Sequence, residues 1–566
     1  MFEIGDILHR HGLLQPGQVD ALRQQQHVGI RFLEAAVEQG LVREEPALRA
    51  LGEELGMEFV DLRSAEVDED VLMNFPQKLI YRHLLFPLRR VNGSLTLATA
   101  NPLDVYALDE ASATTGLTIV PVVAEKSEIA RLTKKHLGVG SETVEGLMAA
   151  RDESEDIELL ERIETDGSEL SEMVQEASVV RLVNEILIEA IDSRSSDVHI
   201  ESQSTGIVIR YRIDGILHEQ PVPPEINRFQ LAIISRLKIM ARLNIAEKRL
   251  PQDGRIKLRV HGREIDIRVS VIPMIHGESL VMRILDKGSM KFDLRGLGMD
   301  ADTYHIYSQL IRIPHGIILV TGPTGSGKTT TLYSSLLEIR SPETKIITTE
   351  DPVEYQLDGI NQIQVHSKIG MTFAASLRSI LRHDPDVVLI GEIRDQETAE
   401  NAIQASLTGH LVFSTLHTND AAGAFTRIVD MGIEPFLVSS TVEAIMAQRL
   451  VRRLCSDCKQ SYQPIHADIP NDFPWEKLDG QPLYRAVGCR NCRNVGYTGR
   501  MGIYELLVTN EEIRELAHER VSTWQIKQAA LKSGMRTLRV DAWDKAISGQ
   551  TSVDEVLRVT KGDRIA

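Results

Sequence analysis

The chain has 566 residues, a formal net charge of −18 and 42% hydrophobic residues. At roughly 100–200 residues per domain, this length predicts several domains, and the composition excludes a wholly disordered or fibrous protein. The acidic balance disfavours nonspecific adhesion to nucleic acid or to anionic lipid.

Residues 1–55 are predicted to form a small helical domain, because apolar residues such as Ile4, Ile7, Leu8, Val19 and Leu22 recur at helical spacing. No apolar stretch approaches the roughly 20 residues of a membrane-spanning helix, and the opening MFEIGDILHRHG lacks the pattern of a secretory signal. We therefore expect a cytoplasmic protein.

Residues 56–138 change in character and predict a small α/β domain. Short β-rich runs, SLTLATA and TIVPVV, alternate with the helical stretches VYALDEA and SEIARLTKKHL. Residues 139–172 are polar and acid-rich, including DESEDIELLERIETDGSE, and predict a solvated linker.

Residues 173–290 are predicted to form a mixed sheet with helices. A helix over 177–193 precedes the alternating strands DVHIESQ and GIVIRYRIDGILHE, and a strand pair follows with a turn at His261 and Gly262. Residues 291–566 predict a parallel α/β sheet, because the apolar runs GIILVTG, TKIITTED, DVVLIGE and GHLVFSTLH alternate with helical segments.

A complete P-loop follows the strand GIILV and opens a helix. Its glycines let backbone N–H groups approach phosphate, Lys328 neutralises β/γ-phosphate charge, and Thr329 offers a hydroxyl to Mg²⁺. The strand before it and the helix after it disfavour the alternative, a glycine-rich turn that binds no nucleotide. The predicted ATP-binding residues are Gly322, Pro323, Thr324, Gly325, Ser326, Gly327, Lys328, Thr329 and Thr330.

Two further strand ends carry acids. The strand over 386–390 is followed by Gly391, which occupies the usual Walker B aspartate position, and then by Glu392, the predicted metal-side acid. Glu392 would hold Mg²⁺ through water or polarise the attacking water. The run Thr349 to Glu354 places Glu350, Asp351 and Glu354 near a proline turn, and Glu350 is favoured as general base. A helix cap or a surface loop is the alternative for this acidic turn.

Two histidines flank the strand LVFSTL. His410 and His417 are seven residues apart, so they do not form a helical zinc motif and are predicted to sense phosphate. A hydrogen-bonded scaffold histidine is the alternative for each.

All four cysteines lie close together in sequence, at Cys455, Cys458, Cys489 and Cys492. Two CxxC pairs separated by 30 residues predict a tetrahedral structural Zn²⁺ site within an insert over 452–500. A redox pair is the lesser interpretation.

Residues from about 173 to 566 resemble the type II secretion and type IV pilus assembly ATPase family. The resemblance is carried by SSDVHIE, YRIDGILHE, RLPQDGRI, GPTGSGKTT, TTEDPVEY, LIGEIRDQETA, TGHLVFSTLHTND and the tetracysteine insert. It implies a RecA-like motor domain, a preceding PAS-like domain and a homo-hexamer. The insert is similar to that of secretion and pilus-extension ATPases, which disfavours a retraction motor.

The resemblance also implies roles for five arginines. Arg268 and Arg283 match arginines that the preceding domain brings to the nucleotide, whereas Arg378, Arg382 and Arg394 match arginines of the motor domain. An arginine finger would stabilise charge developing on the γ-phosphate, and an ordinary surface ion pair is the alternative for each.

The N-terminal segments resemble regulatory and docking modules. RHLLFPLRRVNGSLTLATANPLD is similar to the domain that holds the ATPase to an inner-membrane partner, which implies peripheral membrane association through docking and platform proteins. Residues 1–55 weakly resemble tandem cyclic-di-GMP-binding repeats, but this copy departs from their pattern. Glu3 replaces an arginine, Arg23 replaces an apolar residue and Leu33 replaces a glycine. A plain helical docking bundle is therefore favoured over dinucleotide binding.

The leading function hypothesis is an ATPase that drives pseudopilus assembly for type II secretion, with type IV pilus assembly as its nearest alternative. The catalytic motifs do not separate the two. A RecA-like nucleic-acid translocase would share the P-loop but is disfavoured by the acidic charge, and a nonhydrolysing sensor is disfavoured by the retained Lys328, Thr329, Glu350 and Glu392.

Overall fold

The computed structural model describes residues 4–24, 30–63, 65, 67–91, 93–137, 157–159, 177–286 and 292–561. It divides into two compact units, Met1–Asp286 and Lys287–Ala566. No helix among the described residues is long and apolar enough to cross a membrane.

The first unit begins with four short helices that share an apolar core. Ile7, Leu8, Leu22, Leu48 and Leu51 are at most 1% exposed, as expected for the inner faces of amphipathic helices. The helices are α1 (Ile4–Arg10), α2 (Pro16–Gln24), α3 (Ile30–Glu38) and α4 (Glu44–Leu55).

A small three-stranded sheet follows, in the order β1-β2-β3. The first two strands pair antiparallel, while the second and third pair parallel with a helix between them. Its elements are α5 (Glu69–Asn74), α6 (Gln77–His83), β1 (Leu85–Val91), β2 (Ser94–Thr99), α7 (Val105–Thr115), β3 (Thr118–Val123) and α8 (Lys126–Leu137).

The larger sheet of the first unit has seven strands in the order β4-β8-β9-β10-β5-β6-β7. Its elements are β4 (Ile157–Leu159), α9 (Ala177–Asp192), β5 (Ser195–Gln203), β6 (Gly206–Ile213), β7 (Ile216–Gln220), a 3₁₀ turn (Pro224–Phe229), α10 (Gln230–Met240), β8 (Gln252–Val260), β9 (Arg263–Met274) and β10 (Gly277–Asp286). The predicted linker over 139–172 lies outside the described residues, except for β4, which pairs antiparallel with β8.

Two tight turns shape this sheet. The predicted turn at His261 and Gly262 is confirmed, because Val260 pairs with Arg263 and both turn residues have positive φ. The run GIVIRYRIDGILHE, interpreted above as one strand, is instead a hairpin: Asp214 and Gly215 have φ of 49° and 88°. This Asp-Gly pair adopts the turn conformation that reverses a chain within two residues.

The second unit is built on a seven-stranded sheet in the order β13-β12-β14-β15-β11-β16-β19. All strand pairs in it are parallel except β16 with the edge strand β19. The elements that lead to and form its parallel part are 3₁₀ turns (Leu294–Leu297 and Ser367–Ile369), α11 (Ala301–Leu310), β11 (Gly316–Thr321), α12 (Lys328–Ile339), β12 (Ile346–Glu350), β13 (Asn361–Gln364), α13 (Phe373–Ile380), β14 (Val387–Ile390), α14 (Gln396–Leu407), β15 (Leu411–Leu416), α15 (Ala422–Asp430), α16 (Pro435–Thr441) and β16 (Val442–Leu454).

The rest of this unit contains a small two-stranded sheet and a C-terminal set of helices. Every residue of β11 and β15 is buried, which accounts for their nearly continuous apolar sequences. The remaining elements are β17 (Gln460–Tyr462), a 3₁₀ turn (His466–Asp468), α17 (Trp475–Leu478), β18 (Leu483–Arg485), β19 (Tyr497–Val508), α18 (Glu511–His518), α19 (Thr523–Lys532), α20 (Leu538–Ile547) and α21 (Val553–Val559).

A buried ion pair in the first unit yields a stability prediction. Lys238 Nζ donates to Glu278 Oε1 at 2.7 Å and to the Glu247 carbonyl at 2.8 Å, and the Lys238 side chain is 1% exposed. Glu278→Ala should destabilise the fold by about 3–5 kcal/mol, because it leaves a buried ammonium without its counter-charge. Urea denaturation of the full chain followed by circular dichroism measures this. The control is Glu264→Ala, whose side chain is 58% exposed, and equal transition midpoints for the two variants would contradict the prediction.

Candidate active site

The P-loop lies at the carboxyl end of β11, between the strand and the first turn of α12. Thr321 is the last strand residue and Lys328 the first helical one. Pro323, Thr324, Gly325 and Thr329 are exposed at this edge, while the Ser326 side chain is buried. The backbone N–H groups at this helix N-terminus, together with the helix dipole, provide the electropositive environment that binds phosphate.

Three glycines give the loop its backbone conformation. Gly322, Gly325 and Gly327 have φ of 151°, 77° and 87°, a region that residues with a Cβ rarely adopt. A Cβ on Gly322 would also lie 2.5 Å from the Gln448 carbonyl oxygen, and one on Gly327 would lie 2.8 Å from Gln448 Nε2. The loop therefore depends on glycine both for its dihedral angles and for its close approach to β16.

Lys328 folds back over its own loop. Its Nζ donates to the carbonyl oxygens of Gly322 at 2.7 Å and Pro323 at 3.2 Å. Burial lowers the pKa of Lys328 to about 8; Glu392 opposes this shift and Arg449 adds to it. Bound polyphosphate would supply the negative charge that favours the protonated amine.

Glu392 faces this lysine from the end of β14. Its side chain is 13% exposed. Glu392 Oε1 forms an ion pair with Arg394 Nη2 at 2.5 Å, and Oε2 lies 3.3 Å from His417 Nε2. The parallel register of β14 with β15 and of β15 with β11 brings these strand ends to one edge of the sheet. The structure thus brings together Lys328, Glu392, Arg394 and His417.

Glu350 ends β12 and is 4% exposed. Its carboxylate accepts hydrogen bonds from Tyr333 Oη, from Thr348 Oγ1 at 2.5 Å and from Gln362 Nε2 at 3.1 Å. Burial, with the neighbouring carboxylate, raises the pKa of Tyr333, so this phenol stays protonated and donates. The carboxylate that is expected to act as general base therefore already accepts three hydrogen bonds.

The other two acids of the turn lie directly after β12. Asp351 is exposed and is joined to Pro352 by a cis peptide bond, and Glu354 is partly buried further along the same loop. Asp351 is close enough to Arg394 to raise the pKa of that guanidinium, although the hydrogen bond from Arg394 to Glu392 is the larger cause. The acidic turn and the strand end with Glu392 are therefore electrostatic neighbours.

The structure does not bring His410 to this edge. His410 precedes β15, and its Nδ1 lies 2.8 Å from the Ala405 carbonyl oxygen, whereas His417 follows the same strand. Seven steps of about 3.3 Å along the strand separate the two histidines by roughly 23 Å. The expectation that both sense phosphate is corrected for His410, because the P-loop adjoins the opposite end of the sheet.

The predicted arginines of the second unit differ in their surroundings. Arg394 pairs with Glu392, as described above. Arg378 on α13 pairs with Glu397 on α14, and Arg382 Nη1 donates to the Arg378 carbonyl oxygen at 2.8 Å. Arg378 and Arg382 are exposed in the described chain.

Arg268 and Arg283 belong to the first unit. They face each other across β9 and β10, and Arg255 on β8 faces Arg268 from the other side. Directly paired residues share one face of a sheet, so the register aligns three arginines in a row. Arg283 Nε donates to Asp197 Oδ1 at 3.0 Å.

Several residues of the site were not predicted from sequence. Tyr333 and Gln362 position the Glu350 carboxylate, Gln448 and Arg449 underlie the P-loop, and Arg255 extends the arginine row. A signal was present for one pair: Gln448 and Arg449 interrupt the apolar run of β16, VEAIMAQRLVRRL. The others have no local signature, because their contacts join segments distant in sequence.

The four cysteines converge as expected. The Sγ atoms of Cys455, Cys458, Cys489 and Cys492 all lie within 4.8 Å of one another. Three of the Sγ–Sγ distances are 3.7 Å. Four thiolates about 2.3 Å from one tetrahedral Zn²⁺ would be about 3.8 Å apart, whereas a disulfide requires about 2.05 Å. The arrangement fits a metal and not a pair of disulfides.

Backbone groups already favour a thiolate in this cluster. Burial alone would raise the pKa of Cys492, but N–H groups of Cys489 and Gly496, at 3.1 and 3.2 Å from its Sγ, lower that pKa to about 7. Burial raises the pKa of Cys458 to about 12. A divalent cation would bind the ionised thiol readily and displace the proton of the other.

The cluster yields a metal prediction. Purified chain should contain about one Zn²⁺ per molecule by elemental analysis, and Cys455→Ser should lose it, because a tetrahedral structural site needs all four ligands. Binding of a fluorescent ATP analogue should persist in this variant, since the P-loop does not include the cluster. Ser456→Ala is the matched control. Wild-type protein free of metal would contradict the assignment.

Comparisons with known proteins identify the family of this chain. A family model described as Type II/IV secretion system protein matches residues 172–558, and one described as MshEN domain matches residues 55–143. The ATPase DotB of Yersinia pseudotuberculosis, solved by X-ray methods, covers 72% of this chain and 99% of its own at 20% identity. Its TM-score of 0.50 shows a shared fold.

Two relatives match along almost the whole length. The type IV pilus assembly ATPase PilB of Myxococcus xanthus is 42% identical over 565 residues, with 99% of both chains covered. The type II secretion system protein E of Xanthomonas campestris is 44% identical over 565 residues, with 98% of this chain and 97% of the relative covered. The resemblance carried by the motifs is confirmed, and the chain belongs to the type II/IV secretion system protein family.

Proposed function

We propose that this chain is the ATP-hydrolysing motor of a type II secretion machine and drives pseudopilus assembly for protein export. The observation that carries the proposal is the convergence of a P-loop lysine and a strand-end carboxylate, Glu392, at one sheet edge. The chain's similarity to a type II secretion system protein E over its length supports the choice of machine.

Lys328 and Thr329 have the roles that a P-loop gives them. Lys328 would neutralise charge on the β- and γ-phosphates, in place of the loop carbonyls to which it now donates. Mg²⁺ would be held by the exposed Thr329 hydroxyl and, through water, by Glu392; these are hard oxygen donors of the kind this ion prefers. When bound, Mg²⁺ would neutralise negative charge on the oxygens of the β- and γ-phosphates.

Glu350 is proposed as the general base of hydrolysis. One of its oxygens would accept the proton of the attacking water once nucleotide binding frees it from a present donor, Tyr333, Thr348 or Gln362. Asp351 and Glu354 would complete the acidic edge. His410 takes no part in the proposal, because it lies at the other end of β15.

Arginines would stabilise the charge that develops on the γ-phosphate. We propose that Arg394 and His417 do so from within the site, beside Glu392. The exposed Arg378 and Arg382 and the row containing Arg268 and Arg283 would act across the contacts of a homo-hexamer. Arginine is well suited to this role, because the planar guanidinium can donate two hydrogen bonds to one phosphate group.

The N-terminal part would connect the motor to the membrane. We propose that residues 56–138, all of which lie within the matched MshEN domain, dock on an inner-membrane protein and place the chain at the membrane periphery. Cyclic-di-GMP is not part of the proposal. Leu33, where the resemblance has glycine, is 3% exposed and packs in the core of the first helices, and Arg23 pairs with Asp6.

Type IV pilus assembly is the second candidate function. It is favoured by the pilus assembly ATPase that is 42% identical across 99% of both chains. The chemistry is the same in both machines, so the discriminating result is which inner-membrane protein a tagged full-length chain captures from its own membranes.

Hydrolysis itself tests the core of the proposal. Lys328→Ala should reduce phosphate release to background, because the γ-phosphate loses its cation. Glu392→Ala should retain bound ATP without turning it over. Glu400→Ala, an exposed acid on α14, is the control. Wild-type rates in either of the first two variants would refute the proposed site.

The role of Glu350 has its own test. Glu350→Gln should lower kcat by about 10²–10⁴-fold, the usual contribution of a general base, with ATP affinity nearly unchanged. Tyr333→Phe removes one donor to the carboxylate but leaves the base, so its kcat should fall by less than tenfold. Equal losses in the two variants would mean that Glu350 only braces the fold.

A further inference from the structure

Two polar residues interrupt the buried strand β16 next to the P-loop. The β11–β16 register pairs Thr321 with Ala447, so Gln448 follows at the level of Gly322 and Arg449 one residue further along. Gln448 is 2% exposed and Arg449 is partly buried. Polar groups in such a position need partners. Gln448 has a partner in α12, and Arg449 has partners in β16 and in the loop after β15.

Gln448 supports the P-loop from below. Its side-chain Oε1 accepts from Thr331 Oγ1 in the first turn of α12 at 2.8 Å. Its carbonyl oxygen packs against Gly322 and its Nε2 packs against Gly327. Both contacts are so close that a Cβ on either glycine would clash with Gln448. One residue of the neighbouring strand therefore contacts both the P-loop and the first turn of its helix.

Arg449 extends this support to a second loop, residues 417–420, which follows β15 and is called here the β15 loop. Its Nη1 donates to the Gln448 carbonyl oxygen at 3.0 Å and would lie 3.0 Å from a Cβ on Gly322. Its Nη2 donates to the Asn419 carbonyl oxygen at 2.9 Å. One planar guanidinium thus ties the β15 loop to β16, at the point where β16 packs against Gly322 of the P-loop.

Charged side chains surround Arg449 on several sides. Burial lowers the pKa of Arg449, while Glu505 on β19 and Asp420 in the β15 loop oppose the shift. Lys328 is the like charge on the other side, and Glu392 the acid that faces Lys328. The hydrogen bonds of Arg449 go to the carbonyl oxygens of Gln448 and Asn419 and to Asn419 Oδ1, not to either acid, so they fix the β15 loop against β16.

The β15 loop carries a group of the proposed site. His417, its first residue, lies 3.3 Å from Glu392. Thr418, the next residue, is also tied to β11: its backbone N–H donates to Thr321 Oγ1 at 2.8 Å. The position of His417 relative to the P-loop is therefore set by contacts that β11 and β16 make with this loop.

We propose that Arg449 is a positioning residue for ATP hydrolysis, which holds the β15 loop and its His417 at a fixed distance from the P-loop. The inference rests on the proposed function and deepens it. Arg449 acts through the backbone of Asn419, and its fork is suited to two acceptors at once, which the single ammonium of lysine cannot bridge in the same plane. Small displacements of positioning groups can cost about 10²-fold in rate.

The test compares Arg449→Gln and Arg449→Lys with the wild type in steady-state ATP hydrolysis. Both should lower kcat by at least about tenfold, with the affinity for a nonhydrolysable ATP analogue within about threefold of wild type, because the fork is lost in each. Arg453→Gln, an exposed position further along β16, is the matched control and should keep the wild-type rate. A wild-type kcat in Arg449→Lys would overturn the proposal, since charge alone would then suffice.

A double-mutant cycle separates positioning from a general loss of stability. In a His417→Ala background, Arg449→Gln should reduce kcat by less than about threefold further, because the residue it positions is gone. Full additivity would overturn the proposal. If Arg449→Gln does not fold, as judged by thermal melting, the cycle is run with Arg449→Lys.

Lys328→Ala distinguishes the two levels of inference. An inactive Lys328→Ala with fully active Arg449 variants would overturn the positioning role and leave the proposed function intact. An active Lys328→Ala would overturn the proposed function itself.

Discussion

The parallel register of β11 with β15 and β16 is the constraint on which the rest of the second unit depends. It aligns Thr321 with Leu416 on one side and with Ala447 on the other. The P-loop and His417 follow the aligned ends of β11 and β15, and Gln448 is the next residue of β16 after Ala447. The register therefore brings these three groups together although they are far apart in the sequence. A slip of one residue in any of these pairs would turn the buried side chains to the wrong face and separate these groups.

The electrostatics of this edge are arranged for an anion. A helix N-terminus, a half-buried lysine with its pKa lowered to about 8 and a neighbouring arginine all favour negative charge. Glu392 and the acidic turn supply the opposite charge at two adjoining strand ends. Oxygen ligands for a cation and N–H donors for phosphate therefore face one another, which is the distribution that phosphoryl transfer needs.

The cysteine cluster stands at the far end of the strand that supports the P-loop. β16 runs from beside β11 to Leu454, and Cys455 follows directly. The strand is held there by Arg452, which pairs with the buried Glu555 of α21 at 2.9 Å and lies over the Tyr497 ring at 3.9 Å. A metal at the cluster would tie together Cys455 and Cys489, which are 34 positions apart in the chain. It would thereby brace the end of β16 beside the apolar core that contains Val451, Phe473 and Trp543.

The sequence by itself determined the features that depend on neighbouring residues: the P-loop, the strand-end Glu392, the tetracysteine pattern and the family. Each is a local motif whose chemistry follows from its spacing. The tertiary structure decided what depends on register and long-range contact: that His410 lies at the opposite edge, that Tyr333 and Gln362 donate to Glu350, and that Arg449 ties the β15 loop to β16. These are side-chain hydrogen bonds between residues up to 30 positions apart. They form only because the elements that carry these residues lie side by side, and no local pattern encodes which strand will lie beside which.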